Sequence, residues 1–290
     1  MVDLLVLGGL GLDVRAQVPE LPLPAADSLT VPPIELRVGN TGAGVALAAA
    51  ALGLRVTVVD VLGADPAGDV VRAALDRAGV RSVLVDDPSG TRRSVSLVGP
   101  AGRRMSLYDP RPWGGGDPFP PAELATLVGE AAHVHVSIMD WLRDRVGSLR
   151  AALPPGVALS TDLHDWDGDN PYHRSFAEAA DLVFVSGVRL GDRGAEVAAG
   201  LAPRTVLVTR GADGAELHRD AGDPVTVPVA AAGAPVIDTN GAGDAFAAGL
   251  IAARLRGAPL PDAARYAARV AAAACTHDGM EYPPGLLPRD

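Results

Sequence analysis

The stretch best equipped for chemistry is Asp238-Thr-Asn-Gly-Ala-Gly-Asp-Ala-Phe-Ala-Ala-Gly-Leu-Ile251, a turn of small residues running into helical spacing that continues to about Arg256. Glycine and alanine leave the backbone bare. Successive N–H groups of Gly241, Ala242 and Gly243, at the positive end of a helix dipole, make an anion-binding concavity that needs no lysine and suits a phosphate in transfer. Asp244 follows on the first helical turn, placed to accept the proton of a hydroxyl that attacks phosphorus in line. Phosphoryl transfer asks a protein mainly for positioning and charge stabilisation, so one carboxylate beside a nest of amides is a sufficient core. The plain alternative is a glycine-rich helix start with aspartate near its cap.

Other polar residues sit at the ends of apolar runs. Gly8-Gly-Leu-Gly-Leu-Asp13 closes the first such run, and Val38-Gly-Asn-Thr-Gly-Ala-Gly44 opens an alanine-rich segment. Read alone, Asp13 is a loop or cap residue, and Asn40 or Thr41 caps a helix. Neither glycine pattern is a nucleotide fingerprint of another class. Val14 stands where a dinucleotide site needs its third glycine, and Val45-Ala46 follow where a Walker loop needs Lys-Ser/Thr. Asp162 ends a strand and is a candidate for lining a cleft. Asp165-Trp-Asp-Gly-Asp-Asn170 imitates a calcium loop but lacks its turn glycine and its twelfth-position glutamate, which is Phe176. His133 and His135 face the same way on one strand with no third ligand near in sequence, and they read as structural.

These residues need elements to position them. Short continuous apolar runs at Leu4 to Gly9, Val56 to Val61, His133 to Ser137, Val157 to Thr161, Leu182 to Ser186 and Val206 to Thr209 read as parallel strands covered on both faces. Helical spacing fills Gly44 to Leu52, Ala67 to Ala78, Pro121 to Ala131, Arg143 to Leu153, Arg174 to Ala180 and Asp262 to Cys275. The alternation predicts an α/β fold, a mostly parallel sheet with helices on both faces, whose ligands bind at the carboxyl ends of the strands. Two segments break the pattern: residues 14–38, and residues 91–112, a hairpin around Gly99-Pro-Ala-Gly-Arg103. They are expected to leave the core (1–13, 39–90 and 113–290) as a small β-sheet lid over the pocket.

Composition narrows the choices. The 290-residue chain is 48% hydrophobic and suits one large domain with a small appendage. All 25 basic residues are arginines. Without lysine the chain cannot be a Walker-type NTPase, a protein kinase or a Schiff-base enzyme. A net charge of −10 argues against nucleic acid as a partner. The lone Cys275, the lack of a leader and an apolar stretch (Val45 to Leu54) too short for a membrane span predict a cytoplasmic address and no membrane partner.

Residues 238–251 resemble the second signature of the ribokinase-like (PfkB) carbohydrate kinases, and the resemblance runs over nearly the whole chain. It implies a three-layer ribokinase-like fold, ATP and magnesium as cofactors, Asp244 as catalytic base and Gly241-Ala242-Gly243 as anion hole. By the same resemblance Asp13, Gly39, Asn40, Thr41 and Asp162 line the substrate site. Ser186, Thr209, Arg210, Gly211, Gly214, Asn240, Gly243 and His277 contact ATP. Asp238 borders a monovalent-cation site such as one for potassium. Dimerisation through the lids is common in that family and implies a homodimer. The sequence departs from the family pattern in two places. Asn40, Thr41 and Gly44 replace a glycine, a frequent lysine and a frequent asparagine. Ser186 and Arg189 replace the Asn-x-x-Glu pair that organises magnesium-bound water.

A free monosaccharide is the expected acceptor. Arg92, Arg93, Arg103, Arg104 and Arg111 in the lid would suit a phosphosugar, or form a solvated hairpin face. Tyr108 or Trp113 stacked on a base would suit a nucleoside. A hydroxymethylpyrimidine or pyridoxal kinase and a non-catalytic sugar- or nucleotide-binding protein are the further readings.

Overall fold

A computed structural model describes residues 2–100, 103–201, 204–219 and 222–289, so Ala101 and Gly102 at the hairpin tip lie outside the described residues. Seven parallel strands form the centre of the main sheet: β5 (Arg81–Asp86), β4 (Val56–Leu62), β1 (Val2–Leu7), β8 (Ala131–Ser137), β9 (Ala158–Asp162), β10 (Leu182–Ser186) and β11 (Thr205–Thr209), in that spatial order. Antiparallel β12 (Ala215–His218) and β13 (Val225–Val227) extend one edge. The chain moves outward from β1 in both directions, so the order reverses there and opens a crevice beyond the carboxyl end of β1.

Both faces of the sheet are covered, which is why its strands read as unbroken apolar runs. On one face α1 (Thr41–Ala51), α2 (Pro66–Arg77), α8 (Ala242–Leu255) and α9 (Leu260–Ala274) share a core with Leu4, Val6 and Val58. On the other, α3 (Pro121–Gly129), α4 (Asp140–Arg143), α5 (Val146–Ala152), α6 (Pro171–Ala179) and α7 (Gly194–Gly200) pack against Leu5, Leu7 and Val59. The helix expected over Arg143 to Leu153 is the shorter α5, with α4 a separate single turn ahead of it. The strands β5, β12 and β13 were not expected from the apolar runs. Among the described residues no helix is long and apolar enough to cross a membrane.

A second sheet, in the order β3 (Glu35–Gly39), β2 (Gly11–Gln17), β6 (Arg93–Val98), β7 (Arg104–Asp109), is built from the two segments that break the alternation. It is mixed rather than antiparallel, because β2 pairs with β6 in parallel. It also reaches back to Gly11 and takes in Gly39, beyond the bounds 14–38. Its faces differ sharply. Cross-strand partners put Leu12, Val14, Leu36, Val38, Val95, Leu97, Met105 and Leu107 on one side, and Asp13, Arg15, Arg37, Ser94, Ser96, Ser106 and Tyr108 on the other.

The neck between the sheets is organised by Asp60, which is fully buried on β4. Its carboxylate accepts from Leu10 N (2.8 Å), Val61 N (2.8 Å), Trp141 Nε1 (2.8 Å) and Arg92 Nη1 (2.9 Å). Arg92, itself buried, also donates to the carbonyl oxygens of Leu10 and Val61. A buried ion pair is tolerable only when its lone pairs and protons are met this fully, and removing one partner strands the other charge. Asp60→Ala is therefore expected to destabilise the protein by about 3–5 kcal/mol, read as a lower denaturant midpoint in equilibrium unfolding.

Candidate active site

The expected site residues collect at the carboxyl ends of the central strands. Gly8 and Gly9, both at positive φ, turn the chain off β1 directly under the start of α1. A Cβ on Gly9 would lie 2.5 Å from both Gly42 N and Ser137 Oγ, and one on Gly42 would lie 1.9 Å from Gly8 O. Only glycine permits this approach, and it puts Thr41 beside Ser137, the last residue of β8. Thr41 Oγ1 lies 3.5 Å from Ser137 Oγ and 3.3 Å from His164 Nε2.

Asp244 projects from the first turn of α8, almost fully buried, against the backbone of α1. A Cβ on Gly44 would lie 2.0 Å from Asp244 Oδ2. The absence of a side chain at position 44, a departure from the family pattern, is what leaves room for this carboxylate. Asp162, at the end of β9, is its charged neighbour. Burial, then the charge of Asp162, pushes the Asp244 carboxyl well above the usual carboxylate range. Burial also raises Asp162, opposed by His164, whose charge and backbone N–H favour the ionised form. His164 N donates to Asp162 Oδ1 at 2.7 Å.

The turn ahead of Asp244 is open to an anion. Gly241 caps α8 at φ 76°, with Met280 and Tyr282 close behind it. Nothing lies within 4 Å of where a Cβ on Gly243 would be. Among the described residues, the Gly243 and Asp244 amides have no backbone acceptor outside the helix. Free N–H groups, open space and the positive helix end coincide there. Asp238 and Asn240, in the same loop, face the lid. Arg15 Nη1 donates to Asp238 Oδ2 (2.6 Å) and to Asp278 (2.9 Å), Arg37 reaches Asp278 (2.6 Å), and Arg104 donates to Asn240 Oδ1 (3.1 Å). Asp238 Oδ1 accepts from Asn240 N (2.9 Å). With its carboxylate committed to Arg15 and to backbone amides, the Asp238 side chain does not fit a monovalent cation.

Ser186 and Thr209 end neighbouring strands, and the left-handed Gly211 has open space around it. Gly214 is a packing residue, since a Cβ there would lie 2.3 Å from Val227 O. Arg210 is clamped away from the opening by Glu216 (2.9 and 3.0 Å) and by Gly191 O. His277 contacts Glu281 O (3.1 Å). Arg189 turns toward Asp167 (3.5 Å) and Asp165 (3.9 Å), so the acidic loop is paired with arginine rather than gathered around an open centre. His133 and His135 both reach Ser160 Oγ (2.8 and 2.9 Å), and burial lowers them to about 4 and about 3.

In the lid, Asp13 accepts from Ser94 Oγ (2.8 Å), and Gly39 packs against its backbone. Arg93 pairs with Asp65 and Arg111 with Asp109. Arg92 is buried on Asp60, while Arg103 and Arg104 stay exposed on the hairpin, Arg104 reaching the neutral Asn240. Trp113 Nε1 donates to Gly116 O, tying that ring to its own loop. Three residues at the site carried no sequence signal: Arg15, Ser137 and His164. Each gains its meaning only from a partner far along the chain.

Residues 1–140 and 175–284 match the model of the pfkB family carbohydrate kinases. An acarbose 7(IV)-phosphotransferase from Actinoplanes sp. is 45% identical over 278 residues, covering 94% of this chain and 92% of the relative. An ATP-dependent ribose-1-phosphate kinase from Halopiger xanaduensis is 30% identical, covering 98% and 95%. Among solved structures, the microbiome-derived acarbose kinase Mak1 superposes with a TM-score of 0.85 at 42% identity, covering 96% of this chain and 93% of that one. Ribokinase of Arabidopsis thaliana, complexed with ribose and ATP, shares the fold (TM-score 0.80, 22% identity, 99% and 96% covered).

Asn40 stands out in this geometry. Its φ of 75° and ψ of 154° lie in a region populated almost only by glycine, while its Oδ1 accepts from Thr41 N at 2.9 Å and its Nδ2 donates to Tyr108 OH at 3.4 Å. Such backbone costs about 1–3 kcal/mol and a glycine cap loses only a few tenths. Asn40→Gly is expected to raise the melting temperature by about 2 °C in scanning calorimetry.

Proposed function

The chain belongs to the pfkB family of carbohydrate kinases, and we propose that it transfers the γ-phosphoryl group of ATP to a hydroxyl of a free, unphosphorylated carbohydrate with Asp244 as base. The observation that carries this reading is Asp244 itself: a buried carboxylate, raised in pKa, one residue from an open amide nest at a helix start. The acceptor hydroxyl gives its proton to Asp244 as its oxygen forms the bond to phosphorus. The bond from phosphorus to the β,γ-bridging oxygen breaks and ADP leaves. The Gly241-Ala242-Gly243 turn, with the open Gly243 amide foremost since Ala242 N also reaches Thr239 O, holds the oxygens of the moving group, where negative charge must be balanced.

Kinases of this family use ATP, and its base and ribose are assigned to the side of Ser186, Thr209, Gly211, Asn240 and His277. Magnesium held mainly by phosphates and water asks a protein for one or two carboxylates. Asp162 fits that limited demand without the Asn-x-x-Glu pair; the bound ion would supply charge neutralisation. The carboxylate partners of Arg92, Arg93 and Arg111 leave these three arginines little charge for a phosphosugar acceptor. The relatives named for acarbose make a multi-ring carbohydrate the first acceptor to try, ahead of the free monosaccharide expected from sequence.

The reading is tested by ADP release from ATP and magnesium over sugars, acarbose, phosphosugars and nucleosides. Asp244→Asn is expected to cut kcat by about 10²–10⁴-fold, the usual contribution of a general base. A base acts only when deprotonated, so activity should rise with pH through the raised Asp244 pKa. Asp162→Asn removes a neighbouring charge and should move that acid limb to lower pH.

The apolar face of the lid supports a homodimer. Leu36, Met105 and Leu107 are each more than half exposed there, and a second copy of the same face is the self-complementary cover for such a patch. Leu107→Arg is expected to convert a dimer to a monomer in light scattering coupled to size exclusion.

A further inference from the structure

We propose that the acceptor site continues outward from Asp244 beneath β7 into a second subsite, formed by Tyr108, Asp140 and Tyr172, which holds a hydroxyl-bearing ring linked to the one phosphorylated. The proposal rests on the carbohydrate-kinase reading and names what that reading leaves open, the size of the acceptor.

The inner face of β7 roofs a long opening. Arg104, Ser106 and Tyr108 share this face. Arg104 is fastened to Asn240 in the loop before α8, and Tyr108 meets Asn40 at the start of α1. Four residues of extended strand span about 14 Å, more than the approach of one hydroxyl to one carboxylate requires. Contacts continue without a break from the buried end outward: Asp162 to His164, His164 to Thr41, then Asn40 to Tyr108.

The outer end carries two tyrosines and a carboxylate, Tyr108 reached through Asn40 and Tyr172 through Ile138. Tyr108 is 54% exposed although its hydroxyl has a partner, so its ring stands in the opening. Tyr172 is held firmly: its hydroxyl donates to Ile138 O at 2.8 Å and Arg143 lies over its ring at 5.4 Å. Asp140 is exposed at the start of α4, between Ile138 and Arg143, the two partners of Tyr172, and three residues after Ser137, whose Oγ lies 3.5 Å from Thr41 Oγ1 beside Asn40. A sugar ring presents an apolar face and a rim of hydroxyls. Aromatic rings cover the first, and a carboxylate accepts from two vicinal hydroxyls, or from a protonated amine, at once. Arg15 and Arg37 are paired with acidic partners, and Ser106 and Tyr108 add hydroxyls to the roof beside the Arg104 guanidinium, which the neutral Asn240 holds.

The test compares acarbose, as a multi-ring acceptor, with free hexoses and pentoses, using wild type, Tyr108→Ala and Asp140→Asn. The expected result is a rise in the KM for acarbose of about tenfold in each variant, the loss of one hydrogen bond to a charged group or one aromatic contact. The kcat, the KM for ATP and the constants for single-ring acceptors should stay at wild-type values. Unchanged KM for acarbose in both variants overturns the subsite and leaves the kinase reading standing. So does a wild-type enzyme that phosphorylates single sugars but neither phosphorylates nor binds acarbose. If wild type phosphorylates no carbohydrate, the kinase reading of this chain's acceptor fails. Calorimetric binding of acarbose then decides the subsite alone: weakening by Asp140→Asn supports it, and no binding or no weakening overturns it.

Discussion

The pairing of Asp60 with Arg92 is the constraint on which the rest of the site depends. Two chain segments enter the lid, one through Leu10 into β2 and one through Arg92 into β6, and the Asp60 carboxylate holds both. Its fourth donor, Trp141, brings in α4, which carries Asp140. One buried side chain on β4 thereby fixes the lid, the outer wall of the opening and the carboxyl end of the sheet relative to one another. The distances at Thr41, Asn40 and Tyr108 have meaning only because this neck does not slide. Charge was used for this purpose where apolar packing would also have given stability, and the gain is direction: a guanidinium fork and a carboxylate accept few relative orientations.

Where the sequence was legible, the reasons were local. Unbroken apolar runs located six of the seven parallel strands, and β10 was placed to the residue. β5 escaped because Arg81-Ser-Val-Leu-Val-Asp86 is a half-buried edge strand with polar ends. The Asp238 to Asp244 turn was legible because an anion nest and a helix start are features of consecutive residues. Arginines were the opposite case. Arg92 read as one of several hairpin charges, yet its partner lies 32 residues back, and Arg15 meets Asp238 across 223 residues. Long-range pairing leaves no mark on spacing. His164 was hidden for the same reason, its role arising from Thr41 and Asp162 rather than from its neighbours in sequence.

The electrostatics of the lid follow from a chain that has arginine but no lysine. Arg15 and Arg37 meet Asp238 and Asp278, so positive charge from the lid balances acidic residues of the loop before α8 and of the segment after α9. The open nest at Gly243 then keeps its positive character for a ligand. Close by, Asp162 and Asp244 are buried acidic neighbours, and burial first, then the charge of Asp162, lifts Asp244 out of the ordinary carboxylate range.

The two faces of the lid sheet bind its history as well as its shape. In β2 and β7 every second residue looks to the opening and every other one looks away. Exchanges at single positions can retune one face and leave the other untouched. Insertions and deletions cannot, because a shift of one residue turns every side chain beyond it to the opposite surface. Diversification of such a strand proceeds by substitution at alternate sites, and its length is the property least free to drift.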